Sequence, residues 1–137
     1  MIDIRTTEIE DPAHWYGSKL AASKDWRRQL TDEEADELLS AVSANRGRDT
    51  MEISIADFPL PRLSPVLKGL AAHVDRGLGL ALIEGVPVHE MDEDEAAMAL
   101  WGMGQHVGRP QIQDAAKSLL HHVRDKREGG WEENPNR

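Results

Sequence analysis

The chain has 137 residues, 39% of them apolar and 30% charged, a balance that fits one globular domain with a modest core and excludes a disordered polymer. Asp plus Glu number 25 against 16 Lys plus Arg, a net charge of −9, so nucleic acid and anionic membranes are repelled unless a basic patch intervenes, and none stands out. No cysteine is present, which excludes disulfides, thiolate metal sites and cysteine nucleophiles.

Residues 1–30 read as an extended, irregular segment that Trp15, Tyr16 and Trp26 pin to the body. Met1–Arg5 lack a charged-then-apolar signal layout, and no window approaches the ~18 apolar residues of a membrane span. A soluble, cytoplasmic protein is the expectation. Thr31 with Glu34 forms a capping box that opens a helix, and Ala35, Leu38, Leu39 and Val42 recur at helical spacing. Asn45-Arg46-Gly47 closes it, with Gly47 suited to a left-handed cap. Met51, Ile53 and Ile55 alternate with polar residues, which predicts a short half-buried strand before Pro59 and Pro61 break the pattern.

Ser64-Pro65 predicts a helix start, with Val66, Leu67, Leu70, Ala71 and Val74 as the buried stripe and Gly77 as the stop. The run at 80–84 is apolar at nearly every position, which predicts a strand covered on both faces, with Leu80, Leu82 and Ile83 in the core. Acidic residues 92–95 suit the positive end of a third helix, whose expected inner face is Ala96, Ala97, Leu100 and Trp101. Gly102, Gly104 and Gly108 weaken that helix and let another part of the chain approach closely. A last strand is expected near 118–124, then a flexible loop over 126–137.

Few residues carry chemistry. His73-Val74-Asp75 has the spacing of a His-x-Asp metal pair, but residues two apart on a helix diverge by about 200° and cannot easily close on one ion. His73 and Asp75 are therefore expected to be largely exposed. His121 and His122 would face opposite sides of a strand. His106, at a glycine-rich helix end, suits capping of carbonyls, while His14 and His89 join no constellation. The glycines at 102, 104 and 108 follow a helix rather than open one, so they are no dinucleotide fingerprint. Gln111 and Gln113, two apart in an extended segment after Pro110, point the same way and offer amides to a small polar ligand or simply to solvent.

The order of local patterns resembles the N-terminal region of the taurine dioxygenase (TauD/TfdA-like) family of Fe(II)- and 2-oxoglutarate-dependent oxygenases. The resemblance covers about Asp11 to Asp125. It is carried by Pro12-Ala13-His14-Trp15, Asp25-Trp26 with Leu30-Thr31, Phe58-Pro59-Leu60-Pro61 and Gly77-Leu78-Gly79. Two further pieces are the Trp101-Gly102-Met103-Gly104-Gln105-His106-Val107-Gly108 run and His122-Val123-Arg124-Asp125.

The resemblance implies an α/β (α+β) body over 31–125, built from the N-terminal helices and first strands of a double-stranded β-helix, or jelly roll, incomplete in this chain. It implies Fe(II) and 2-oxoglutarate as cofactors of a full family member. No position here matches the family's metal triad or its late arginine, so the expectation is a chain with no catalytic residues, metal ligands or cofactor of its own. Gln111 and Gln113 are the positions the resemblance links to substrate. The chain then reads as an N-terminal portion or short variant of such an oxygenase. Alternatives are a non-catalytic binding or assembly module and one half of a split oxygenase. Self-association, or pairing with a complementary chain, is expected along the sheet edge near 118–124.

Overall fold

The computed structural model describes residues 6–113, 115 and 117–121. In chain order it contains α1 (Gly17–Ala22), β1 (Arg27–Gln29), α2 (Asp32–Ala44), a 3₁₀ turn at Thr50–Glu52, α3 (Leu63–Arg76), β2 (Leu82–Glu84), a second 3₁₀ turn at Val88–Glu90, and α4 (Glu93–Val107). β1 and β2 pair in parallel, Arg27 opposite Leu82, Arg28 opposite Ile83 and Gln29 opposite Glu84. The architecture is mixed α/β, and among the described residues it holds four α-helices and this two-stranded sheet, with no jelly roll.

Local signals fix α2 and α4. The Thr31 hydroxyl accepts from Glu34 N–H, and the Glu34 carboxylate accepts from Thr31 N–H at 2.9 Å. Asp92 and Glu95 make the same reciprocal pair at the start of α4, at 2.8 and 3.1 Å. Each pair satisfies two backbone donors that a helix start leaves without intrahelical partners. Glu34 is buried, and the Arg28 guanidinium, 2.7 Å away, neutralises it.

The start of α3 is fixed differently. The helix opens at Leu63 rather than after Ser64, and its cap comes from α2: the Glu37 carboxylate accepts from Arg62 N–H at 3.0 Å and from Leu63 N–H at 2.9 Å. A carboxylate there also favours the positive end of the helix dipole. Pro65 sits in the first turn, where its missing N–H costs nothing. Ser64 is left free for another partner.

The core lies where α2, α3 and α4 meet over the 50–60 loop. Leu38, Phe58, Leu63 and Leu67 are fully buried, with Ile53, Leu60, Met98 and Ala99 around them. Gly102 allows α4 to pass over Phe58, since a Cβ at that position would sit 2.4 Å from the ring. The expected close approach is therefore to a side chain, and α4 runs through both Gly102 and Gly104 to Val107.

Several expectations change. The segment before residue 31 is not simply irregular; it supplies α1 and β1. Met51 and Ile55 are exposed, and the predicted strand at 51–55 is a 3₁₀ turn with only Ile53 inside. Leu80 and Ile83 are half-buried, and Leu82 is 40% exposed, because β2 is covered on one face only and has one strand beside it. Val74, on the outer turn of α3, is 43% exposed, and Leu100 is 57% exposed. The expected strand at 118–124 is a bend over the described residues 118–121; residues 122–124, and the expected loop at 126–137, lie outside the described residues. Among the described residues no helix is long and apolar enough to cross a membrane.

Candidate functional site

A cleft of about 390 Å³ opens between the outer side of α4 and the segment that follows it. Leu67 and Ile83 form its floor, Leu100, Trp101, Met103 and Val107 its α4 wall, and Leu119 and Leu120 the opposite side. Gln105 contributes an amide, and Arg109 is the sole charged residue of the lining. The chain reaches this position because α4 ends at Val107, Gly108 continues in extended backbone, and the described residues among 109–121 fold back. That return is closed by Gln113 N–H donating to the Ser118 carbonyl at 2.8 Å.

The α4 wall is held by a group of buried polar contacts. Trp101 Nε1–H donates to the Ile53 carbonyl at 2.9 Å, and the Gln105 amide donates to the same oxygen at 2.5 Å. His106, 8% exposed, lies 2.9 Å from the Phe58 carbonyl through Nε2 and 3.0 Å from the Ser64 hydroxyl through Nδ1. A carbonyl only accepts, so Nε2 carries a proton and donates to it, and with the ring neutral Nδ1 accepts from the Ser64 hydroxyl. This neutral tautomer satisfies both ring nitrogens. His106 thus ties α4 to α3 and the 58–60 loop rather than capping its own helix end.

Gln111 and Gln113 are both exposed, on the segment leaving the cleft. The Gln113 amide donates to the Gln111 carbonyl at 2.9 Å, so one of the two side chains is engaged locally. Asp75 is exposed on α3. His73, expected to be exposed, is instead half-buried against the 77–78 turn, and its Nε2 is buried without a hydrogen-bond partner. Among the described residues no group of three His, Cys, Asp or Glu side chains could hold a metal ion. The donor set needed by a facial iron site is therefore missing from this part of the chain. His14, His89 and His121 are exposed, and His122 lies outside the described residues.

Among the described residues three carboxylates are held below their ordinary range, and all three serve structure: Glu33 by backbone and Thr31 hydrogen bonds at the start of α2, and Asp57 and Glu84 by the pairs that follow. The Ser54 hydroxyl, then the Arg48 guanidinium 3.1 Å away, hold the Asp57 carboxyl well below the usual range. The Arg27 hydrogen bonds, at 2.5 and 3.0 Å, lower Glu84 and raise Arg27. The first pair closes the 54–57 turn under Phe58; the second fixes the register of β1 on β2.

No family model matches the chain. The chain is distantly similar to FR-33289 synthase. That protein is from Streptomyces rubellomurinus, and the two are 21% identical over 131 residues. The match takes in 94% of this chain and 39% of the synthase, so the chain spans well under half the length of that relative. Sequence reasoning gave no role to Arg109 and placed His106 at its own helix end rather than against α3. The partners of His106, Ser64 and Phe58, lie 42 and 48 residues away in the chain, and nothing local marks them.

Proposed function

We propose that these residues form the N-terminal portion of an Fe(II)/2-oxoglutarate-dependent oxygenase scaffold acting on a small polar molecule, and that this portion is not catalytic by itself. The observation that carries the reading is the similarity to FR-33289 synthase, which extends over 94% of this chain and only 39% of that protein. An alignment that long includes most of residues 11–125, the stretch on which the oxygenase resemblance was drawn. The helices and short sheet then act as a platform. The 108–121 segment, with Gln111 and Gln113, lies toward the substrate. Iron and 2-oxoglutarate belong to sequence with ligands that the described residues do not supply. A cytoplasmic location fits the cysteine-free composition.

A second reading, an assembly module or one half of a split oxygenase, is favoured by the sheet. A two-stranded sheet is marginal alone and leaves an open edge on each strand. Beside β2, a second hollow of about 610 Å³ is lined by Leu70, Val74, Ala81 and Ile83. A further strand or a second copy would cover both features.

Anaerobic calorimetric titration of the 137-residue chain with Fe(II), with and without 2-oxoglutarate, tests the proposal. The expected result is no one-to-one complex. Micromolar binding abolished by His73→Ala would overturn it, because the chain would then hold iron through the helical His73–Asp75 pair.

A further inference from the structure

We infer that the cleft beside α4 is a binding site for a small amphipathic carboxylate, its apolar body between α4 and residues 119–120 and its carboxylate on Arg109. The inference rests on the cleft alone and goes beyond the oxygenase reading. Charge separates this cleft from the other hollows: the one against residues 8–14 carries Glu8 and Asp11. The hollow beside β2 contains Asp75 and Arg76, which lie 3.9 Å from each other. The crevice between the N-terminal segment and α3 contains both Lys19 and Asp25. Only the α4 cleft combines a lining of Leu100, Trp101, Met103, Val107, Leu119 and Leu120 with a single, positive charge. Arg109 is exposed and takes part in none of the ion pairs found among the described residues.

The physical chemistry selects the ligand class. A volume of about 390 Å³ with a mainly apolar lining and one or two polar groups is the usual design of a small-molecule pocket. A guanidinium offers a planar fork that fits a carboxylate with two parallel hydrogen bonds. One cation in a chain of net charge −9 balances a monoanion and leaves a phosphate dianion underneutralised. The indole of Trp101 is fixed by its bond to Ile53, and Gln105 by its bond to the same carbonyl, so that wall is preorganised and little ordering entropy is lost on binding.

The test is an amide-resolved NMR titration of the 137-residue chain, kept dilute, with hexanoate as probe and 1-hexanol as its uncharged counterpart. Hexanoate is expected to give saturable shifts confined to residues 100–109 and 117–121, with low-millimolar affinity. Arg109→Gln should weaken hexanoate about 3- to 5-fold, the worth of one exposed charge contact, and leave hexanol unchanged. Arg109→Lys, which keeps the charge but loses the planar fork, should bind hexanoate with an affinity between those of the parent and Arg109→Gln. Arg109 is exposed, so the melting temperatures of both variants should match the parent. Non-saturating or scattered shifts, or equal hexanoate affinity in the parent and Arg109→Gln, would overturn the inference.

Discussion

Replacing Gly102 by alanine should destabilise the chain, although alanine is the better helix former. Gly102 lies in the interior of α4, where the exchange alone gains about 1 kcal/mol. The new Cβ, however, would sit 2.4 Å from two carbons of the Phe58 ring. Phe58 has 0% exposure and cannot swing into solvent. Overpacking of this kind costs about 1–3 kcal/mol, and a contact this short against a trapped ring belongs at the upper end. The net loss is about 2 kcal/mol, or a fall of about 1 M in the urea midpoint for a chain this size. Gly104→Ala is the internal control. It lies in the same helix with nothing within 4 Å of the new Cβ, so it should gain about 0.5–1 kcal/mol. Equilibrium urea unfolding of the three proteins, followed by tryptophan fluorescence, reads both effects. If Gly102→Ala proves as stable as Gly104→Ala, α4 does not lie on Phe58 as described, and the placement of Trp101, Gln105 and the cleft falls with it.

The tie made by His106 should show in a similar experiment: His106→Ala leaves the Phe58 carbonyl and Ser64 hydroxyl without their ring partner, and a loss of about 2–4 kcal/mol is expected in urea unfolding; a loss below ~1 kcal/mol would show that water replaces the ring at no cost. Leu82→Ala should cost under ~1.5 kcal/mol because Leu82 is 40% exposed, whereas Leu38→Ala, at 0% exposure, should cost about 2–5 kcal/mol; similar losses would mean β2 is covered on both faces. Asp57→Asn should lower stability at neutral pH, with the difference from the parent shrinking in acid. The Asp57 carboxyl is held below its unfolded value by Ser54 and Arg48, so its stabilisation is complete above the unfolded value of about 4 and fades as pH falls through the lower folded value. Melting curves from pH 7 to pH 2 check it, and a difference that grows in acid would contradict the assignment.

The features legible in the sequence were those set by short-range chemistry. The box at Thr31 and Glu34 marked the start of α2, and the acidic cluster at 92–95 marked α4, since a side chain that caps its own helix writes both partners within four residues. Gly77 likewise marked the end of α3. What escaped depended on distant partners. Ser64 looked like a cap, but Glu37 from α2 already satisfies the first donors of α3, and Ser64 turns to His106, 42 residues on. The alternation of Met51, Ile53 and Ile55 looked like a strand. No neighbouring strand reaches it; the Ile53 carbonyl instead takes its bonds from Trp101 and Gln105. β1, polar and three residues long, carries no strand signal and exists because β2 offers it an edge. Gln111 and Gln113 were legible as exposed amides. The cleft beside α4 was not, because it forms only when residues 119 and 120 return to α4.

Sedimentation velocity across a dilution series, with hydrogen exchange of the sheet amides, most directly tests whether these residues are a platform that takes further protein on the open edge of β2. The platform account predicts association that increases with concentration and slows exchange at Ile83. A monodisperse monomer at high concentration, with the Ile83 amide already protected, would show that the fold closes on itself and would contradict the account.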